Sequence, residues 1–214
     1  MHVVCPLEFE RSSLRAAAAR HGWTLHCCGP GPRGVARWAE GAGLSRGTRV
    51  VLAGVAGALV ADLRPGQCVE AAEVASAEGT WRAPRLAGCG KPVRILCAPA
   101  VIGVTADRHA AAAAHGAQAV DLESAPFARE AEARGWDWSV VRGISDGLGD
   151  VLPRGIARWT DARGRTRLAH VTGYAIARPW RAPGLVNLGR RSRAAMREVA
   201  SSLARTARTG GASC

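Results

Sequence analysis

The sequence predicts an α/β domain. Short apolar runs suited to buried strands alternate along the chain with alanine-rich stretches free of glycine. Two acidic turns, at Asp121 to Ser124 and at Ser145-Asp146, each follow an apolar run, and ligands bind at strand ends in open α/β sheets. The 214 residues are 48% hydrophobic and 21% charged, which suits a packed core rather than a disordered chain. One domain over residues 1–205 is expected, followed by a flexible tail, 206–214.

His2 to Cys5 suits the first strand. A helix is expected from about Ser12 to Arg20, with Gly22 beyond its end. Read on its own, Glu10 is a solvated first-turn acid that favours the helix dipole. The turn Gly29-Pro30-Gly31-Pro32-Arg33-Gly34 leads into a helix around Val35 to Ala42. Such a turn could hold an anion on its backbone N–H groups, but it lacks Walker or dinucleotide spacing, and packing is the better reading. Arg49 to Ala53 reads as a buried strand, and Gly54 to Leu59 as a tight turn. Small residues at Ala53, Gly54, Ala56 and Gly57 would let a flat base or sugar approach the backbone.

Cys68 to Ala75 reads as a strand and Glu78 to Lys91 as a loop. Pro92 to Cys97 and Ala100 to Val104 are further strand candidates. Thr105 to His115 is an alanine-dominated helix ended by Gly116, with His109 and His115 on its surface. A strand then enters Asp121, Ala125 to Arg134 forms a helix stopped by Gly135, and Trp138 to Val141 is a brief strand. Glu123 and Asp146 are thereby expected to converge on one crevice. A polar segment follows Asp146, and Ser192 to Thr206 forms a last amphipathic helix whose arginines mark a solvated face.

The net charge of +12 invites a nucleic-acid reading. The basic residues are almost all arginine (Lys91 is the only lysine) and read as scattered, with no nucleic-acid-binding motif beside them. General attraction to anions follows; specific nucleic-acid recognition does not. Seven cysteines without zinc-type spacing, and no signal-peptide pattern at the start, point to a reducing cytosol. No apolar run has the length to span a bilayer.

Asp121-Leu122-Glu123, followed one strand later by Arg142-Gly143-Ile144-Ser145-Asp146, resembles the purine and uridine phosphorylase superfamily. Within it, the pairing is similar to nucleosidases acting on methylthioadenosine and S-adenosylhomocysteine. Gly54 to Leu59 is similar to a superfamily turn, with Gln67 where an aspartate is usual. Leu152-Pro153 and the stretch 164–183 resemble the hopanoid-associated phosphorylases of the same superfamily.

This resemblance implies a three-layer α/β/α fold around a mixed, twisted sheet, and cleavage of a purine N-glycosidic bond without metal or cofactor. It implies Asp146 as the acid that protonates the leaving adenine, with Ser145 orienting it. Glu123 would bind the ribose hydroxyls, and Glu10 (in preference to Glu8) would position the attacking water. Leu122, Ala56 and Gly57 would contact substrate, and Arg33 is a candidate phosphate contact. A homo-oligomer is also implied, and the arginine-rich charge adds an expected peripheral membrane contact, since basic surfaces are drawn to anionic lipid headgroups. The short 78–91 loop is expected to leave the 5′ side open to a bulky substituent, as in a hopanoid nucleoside. A methylthioadenosine-type nucleosidase, a phosphate-dependent phosphorylase and a non-catalytic nucleoside-binding module are the rival readings.

Overall fold

The computed structural model describes residues 1–86 and 88–209, with side chains through Thr206. Its middle layer is a mixed sheet of β1 (His2–Cys5), β2 (Thr24–Cys27), β3 (Arg49–Ala58), β4 (Cys68–Ser76), β5 (Gly79–Arg82), β6 (Lys91–Cys97), β7 (Ala119–Asp121) and β8 (Asp137–Asp146). The strand order is β2-β1-β3-β7-β6-β4-β5. β8 pairs in parallel with β3 and antiparallel with β4, so β3, β7, β6, β4 and β8 close a ring of pairings.

The helices are α1 (Glu8–His21), α2 (Gly31–Gly41), α3 (Thr105–His115), α4 (Ser124–Ala133), α5 (Leu168–Ala177) and α6 (Ala182–Thr209). Successive strand residues point to opposite faces. Val3, Val51 and Val141 pack with Leu14 of α1 and with Met196, Val199 and Leu203 of α6. Their neighbours Val4, Val50 and Val140 pack with Val35 of α2 and Phe127 of α4. Both faces are covered, which is why β1, β3 and β8 read as unbroken apolar runs rather than alternations. Each fully buried Leu or Phe contributes about 1.5–3 kcal/mol relative to exposure. The expected three layers are present.

Several elements differ from the sequence reading. The glycines at 54 and 57 do not make a turn: β3 continues through them to Ala58, paired with β8 from Arg49 to Gly57. Residues 100–104 form no strand, because Ala100, Val101 and Ile102 line a cavity instead of pairing. Residues 79–82, read as loop, zip onto β4 as an edge hairpin. β2, absent from the sequence reading, is a short strand whose four residues pair in parallel with β1. Helix α6 starts ten residues before Ser192 and continues through Thr209, so the proposed boundary at 205 falls inside a helix; residues 210–214 of the expected tail lie outside the described residues. Among the described residues no helix is long and apolar enough to cross a membrane.

Candidate active site

At the carboxyl end of β8, Ala56 of β3 pairs with Ile144 and Gly57 pairs with Asp146, so Ser145 is an extra residue on β8. A bulge of this kind bends the strand and re-aims side chains. Here it brings Ser145 and Asp146 to the same cavity, and the Ser145 hydroxyl donates to Asp146 Oδ1 at 2.6 Å. A Cβ on Gly57 would stand 2.8 Å from Asp146 Oδ2, so glycine is needed for that carboxylate to lie against β3.

The cavity has a volume of about 560 Å³ and is lined by Glu10, Ala56, Gly57, Leu122, Glu123, Ser145 and Asp146 among others. Seven of the eight residues expected at the site therefore meet. The exception is Arg33, which is exposed in the first turn of α2 and does not line the cavity. The anion that its glycine turn holds is the protein's own: Gly31 N–H donates to Glu123 Oε1 at 2.8 Å. Glu123 occupies the N-cap position of α4, yet its side chain does not cap that helix.

Glu10 is buried, not solvated. Its two carboxylate oxygens accept from the backbone N–H of Leu7 and of Val55, both at 2.8 Å. Glu8 instead faces outward and pairs with Arg11. Burial raises the Glu10 carboxyl to about 7, against the opposing pull of Arg142 and the two N–H donors. Burial likewise raises Glu123, with Arg142 opposing. Folding therefore takes up a proton at Glu10 between its ordinary value near 4.5 and about 7, so this group's contribution to stability falls as pH rises through that window.

Two arginines that the sequence reading left without a role organise these acids. Arg142, wholly buried on β8, places Nε 2.8 Å and Nη2 2.5 Å from Asp121 Oδ2, and Nη2 3.7 Å from Glu123 Oε2. Burial works against its charge, but Asp121, Glu123 and Glu10 outweigh that and hold it above the usual guanidinium range. Asp121 is further fixed by Ser124, whose hydroxyl donates at 2.6 Å. Gly54 makes room for this cluster, since a Cβ there would meet Arg142 Nη1 at 2.4 Å and Glu10 Oε1 at 2.7 Å.

Arg108, equally buried on α3, is ion-paired with Asp146 Oδ2. Its other donors reach the carbonyls of Gly147 at 2.7 Å, Ile102 at 3.1 Å and Ala58 at 3.3 Å. The guanidinium thus ties α3, the end of β3 and the turn after β8 to the acid. One arginine in an alanine-rich helix gave no sequence signal for this; its importance comes from being the single buried residue of α3. Among the described residues no group of three His, Cys, Asp or Glu side chains is arranged to hold a metal ion.

The outer wall of the cavity also departs from expectation. Among the described residues of 78–91 none lines it, and Leu86 and Cys89 bury against the α1/α6 face. The wall is built instead from residues 152–193, with Ile156, Trp159, Val171, Leu185 and Leu188 turned towards the cavity.

No protein-family model and no curated protein sequence matches the chain. Solved structures do. The Helicobacter pylori 5′-methylthioadenosine/S-adenosylhomocysteine nucleosidase superposes with a TM-score of 0.69 at 12% identity, covering 97% of each chain. The Streptococcus pneumoniae enzyme of the same name gives 0.65 at 14% identity, covering 96% of this chain and 97% of that one. Futalosine hydrolase of Helicobacter pylori gives 0.60 at 14%, covering 70% of this chain and 88% of that one. At these identities the likeness is one of fold, and the chain has the three-layer nucleoside phosphorylase-like architecture of those nucleosidases.

Proposed function

We propose that this chain is a nucleosidase that cleaves the N-glycosidic bond of an adenine nucleoside with water, and that its substrate carries a bulky apolar 5′ substituent. The observation that carries the reading is the meeting of Glu10, Glu123 and Asp146 in one cavity. The fold shared with nucleosidases supports it, one of them solved with 5′-methylthioadenosine in its active site.

Cleavage leaves cationic character on the ribosyl centre and negative charge on the departing base. Asp146 delivers a proton to the base; Arg108 occupies Oδ2, so delivery is through Oδ1, where Ser145 is the neighbour. Glu123 accepts from the ribose hydroxyls through the oxygen not held by Gly31 and faces the developing cation. Glu10 positions water and takes its proton as the new C–O bond forms, a role suited to a carboxyl poised near neutrality. Accordingly kcat/KM is expected to rise with pH through about 7, as Glu10 ionises, and Glu10→Gln to abolish that limb. A pH profile that keeps the same limb in the variant reassigns the water-positioning group.

Water is preferred to phosphate because Arg33 stands away from the cavity and the Gly31 N–H is committed to Glu123. The apolar side chains of the outer wall, Ile156, Trp159, Val171, Leu185 and Leu188, favour an apolar 5′ group, for which a hopanoid nucleoside is the kind of substrate the resemblance implies. A homo-oligomer belongs to the same reading, and sedimentation measures it.

The test follows free adenine from adenosine-type nucleosides with and without phosphate. Release independent of phosphate is expected; a strict phosphate requirement makes the chain a phosphorylase, and binding without release a non-catalytic module. In competition at equal concentration, the nucleoside with the large apolar 5′ group is expected to outrun methylthioadenosine. If methylthioadenosine wins about tenfold in kcat/KM, a difference of about 1.4 kcal/mol, the 5′ assignment fails.

A further inference from the structure

The charge of this chain is not spread evenly. Residues 151–193 carry ten arginines and one acid, Asp161, so a net +9 of the chain's +12 falls in this one segment. Among the described residues, only Arg191 of these arginines is in an ion pair, with Asp150. The same segment contributes most of the exposed large apolar side chains. Leu168 is 70% exposed, Ile176 80%, Trp180 74% and Val186 63%. Helix α5 (LAHVTGYAIA) contains no charged residue, buries none of its ten residues, and lies between Arg167 and Arg178. An uncharged apolar helix left on the surface is costly unless something covers it.

We propose that α5, Trp180 and the start of α6 form a docking surface for an anionic lipid bilayer. Arginines flanking an apolar helix can hold lipid phosphates while the aliphatic side chains and the tryptophan enter the headgroup region. Charge decides between the candidate occupants. A second copy seated on this face by a two-fold axis would set the positively charged segment against itself. A nucleic acid would satisfy the arginines but leave Leu168, Ile176 and Val186 without apolar cover. An anionic bilayer satisfies both. Location gives the surface a use: Leu185 and Leu188 line the active-site cavity and also the smaller cavity beside Trp180, so the cavity wall and the docking surface are one segment. An adenosyl headgroup could then enter the cavity while its apolar 5′ tail stays in the membrane. That use rests on the substrate reading above, but the docking surface itself does not.

The experiment is co-sedimentation of the full chain with phosphatidylcholine vesicles, with and without phosphatidylglycerol, read beside adenine release from a soluble nucleoside. Binding is expected only to the phosphatidylglycerol vesicles, and is expected to weaken as salt shortens the screening length. Ile176→Glu and Trp180→Glu, neither of which lines the active-site cavity, are expected to lower vesicle affinity about tenfold or more with unchanged soluble turnover. Arg178→Glu with Arg181→Glu tests the charge separately and should do the same. No binding to phosphatidylglycerol vesicles at low salt overturns the proposal, as does full binding by both sets of variants. It is also overturned if the same substitutions dissolve a concentration-dependent dimer, or if duplex DNA binds more tightly than the vesicles and displaces them. Vesicle binding by a chain that releases no adenine sinks the enzymatic reading alone.

Discussion

Replacing Asp146 with asparagine is expected to lower turnover by roughly 10²–10⁴-fold, the usual worth of a positioned acid. The amide keeps the size of the side chain but cannot hand a proton to a leaving base. The fold should survive the change. Arg108 loses its ionic partner but retains the carbonyls of Gly147, Ile102 and Ala58, so its charge is not left bare. Circular dichroism and the affinity for an uncleavable nucleoside analogue would show whether structure and binding persist. Adenine release close to that of the unaltered chain, from a folded Asp146→Asn protein, would remove Asp146 from the chemistry.

Arg142→Met is expected to cost about 3–5 kcal/mol of stability, the range seen when one partner of a buried ion pair is removed. Arg142 is the one cation within 4 Å of Asp121 and Glu123 among the described residues, and all are almost wholly out of water. Methionine fills similar space but leaves the carboxylates to repel one another. The penalty should shrink as pH falls, because Glu10, whose carboxyl Arg142 holds down, takes up a proton more readily once the guanidinium is gone. Urea unfolding midpoints at several pH values measure both effects. An unchanged midpoint would mean that the acids are not held as charged groups around this guanidinium.

What the sequence revealed, and what it hid, follows from the range of each interaction. The meeting of Glu123 and Asp146 was legible because each sits in a local motif at the end of an apolar run, and strand ends share one edge of the sheet. Glu10 is different. From composition alone it is a surface acid, and only the resemblance picked it out; its burial depends on Val55, which lies far along the chain. Arg108 was invisible for the same reason, since nothing within α3 says that its arginine faces inward. The glycines of β3 misled in the opposite direction. Their smallness serves the side chains of Glu10, Arg142 and Asp146 rather than a turn, and a local reading cannot tell these apart. The arginines of 151–193 are concentrated in the sequence itself, and they read as scattered because the apolar helix that they flank was not assigned.

The closed ring of strands also sets an order of events during folding. β3 cannot complete its pairing until β8 is available, for Arg49 aligns with Asp137 and Ala56 with Ile144. Contacts so distant in sequence make for slow closure, since the chain entropy is lost before the contacts form. During synthesis the first half of the protein must therefore wait, with one side of β3 open, for residues 137–146 to emerge. Those residues carry Arg142 and Asp146 themselves, so the strand that completes the sheet also brings the charge that Glu10 and Asp121 need before they are buried together.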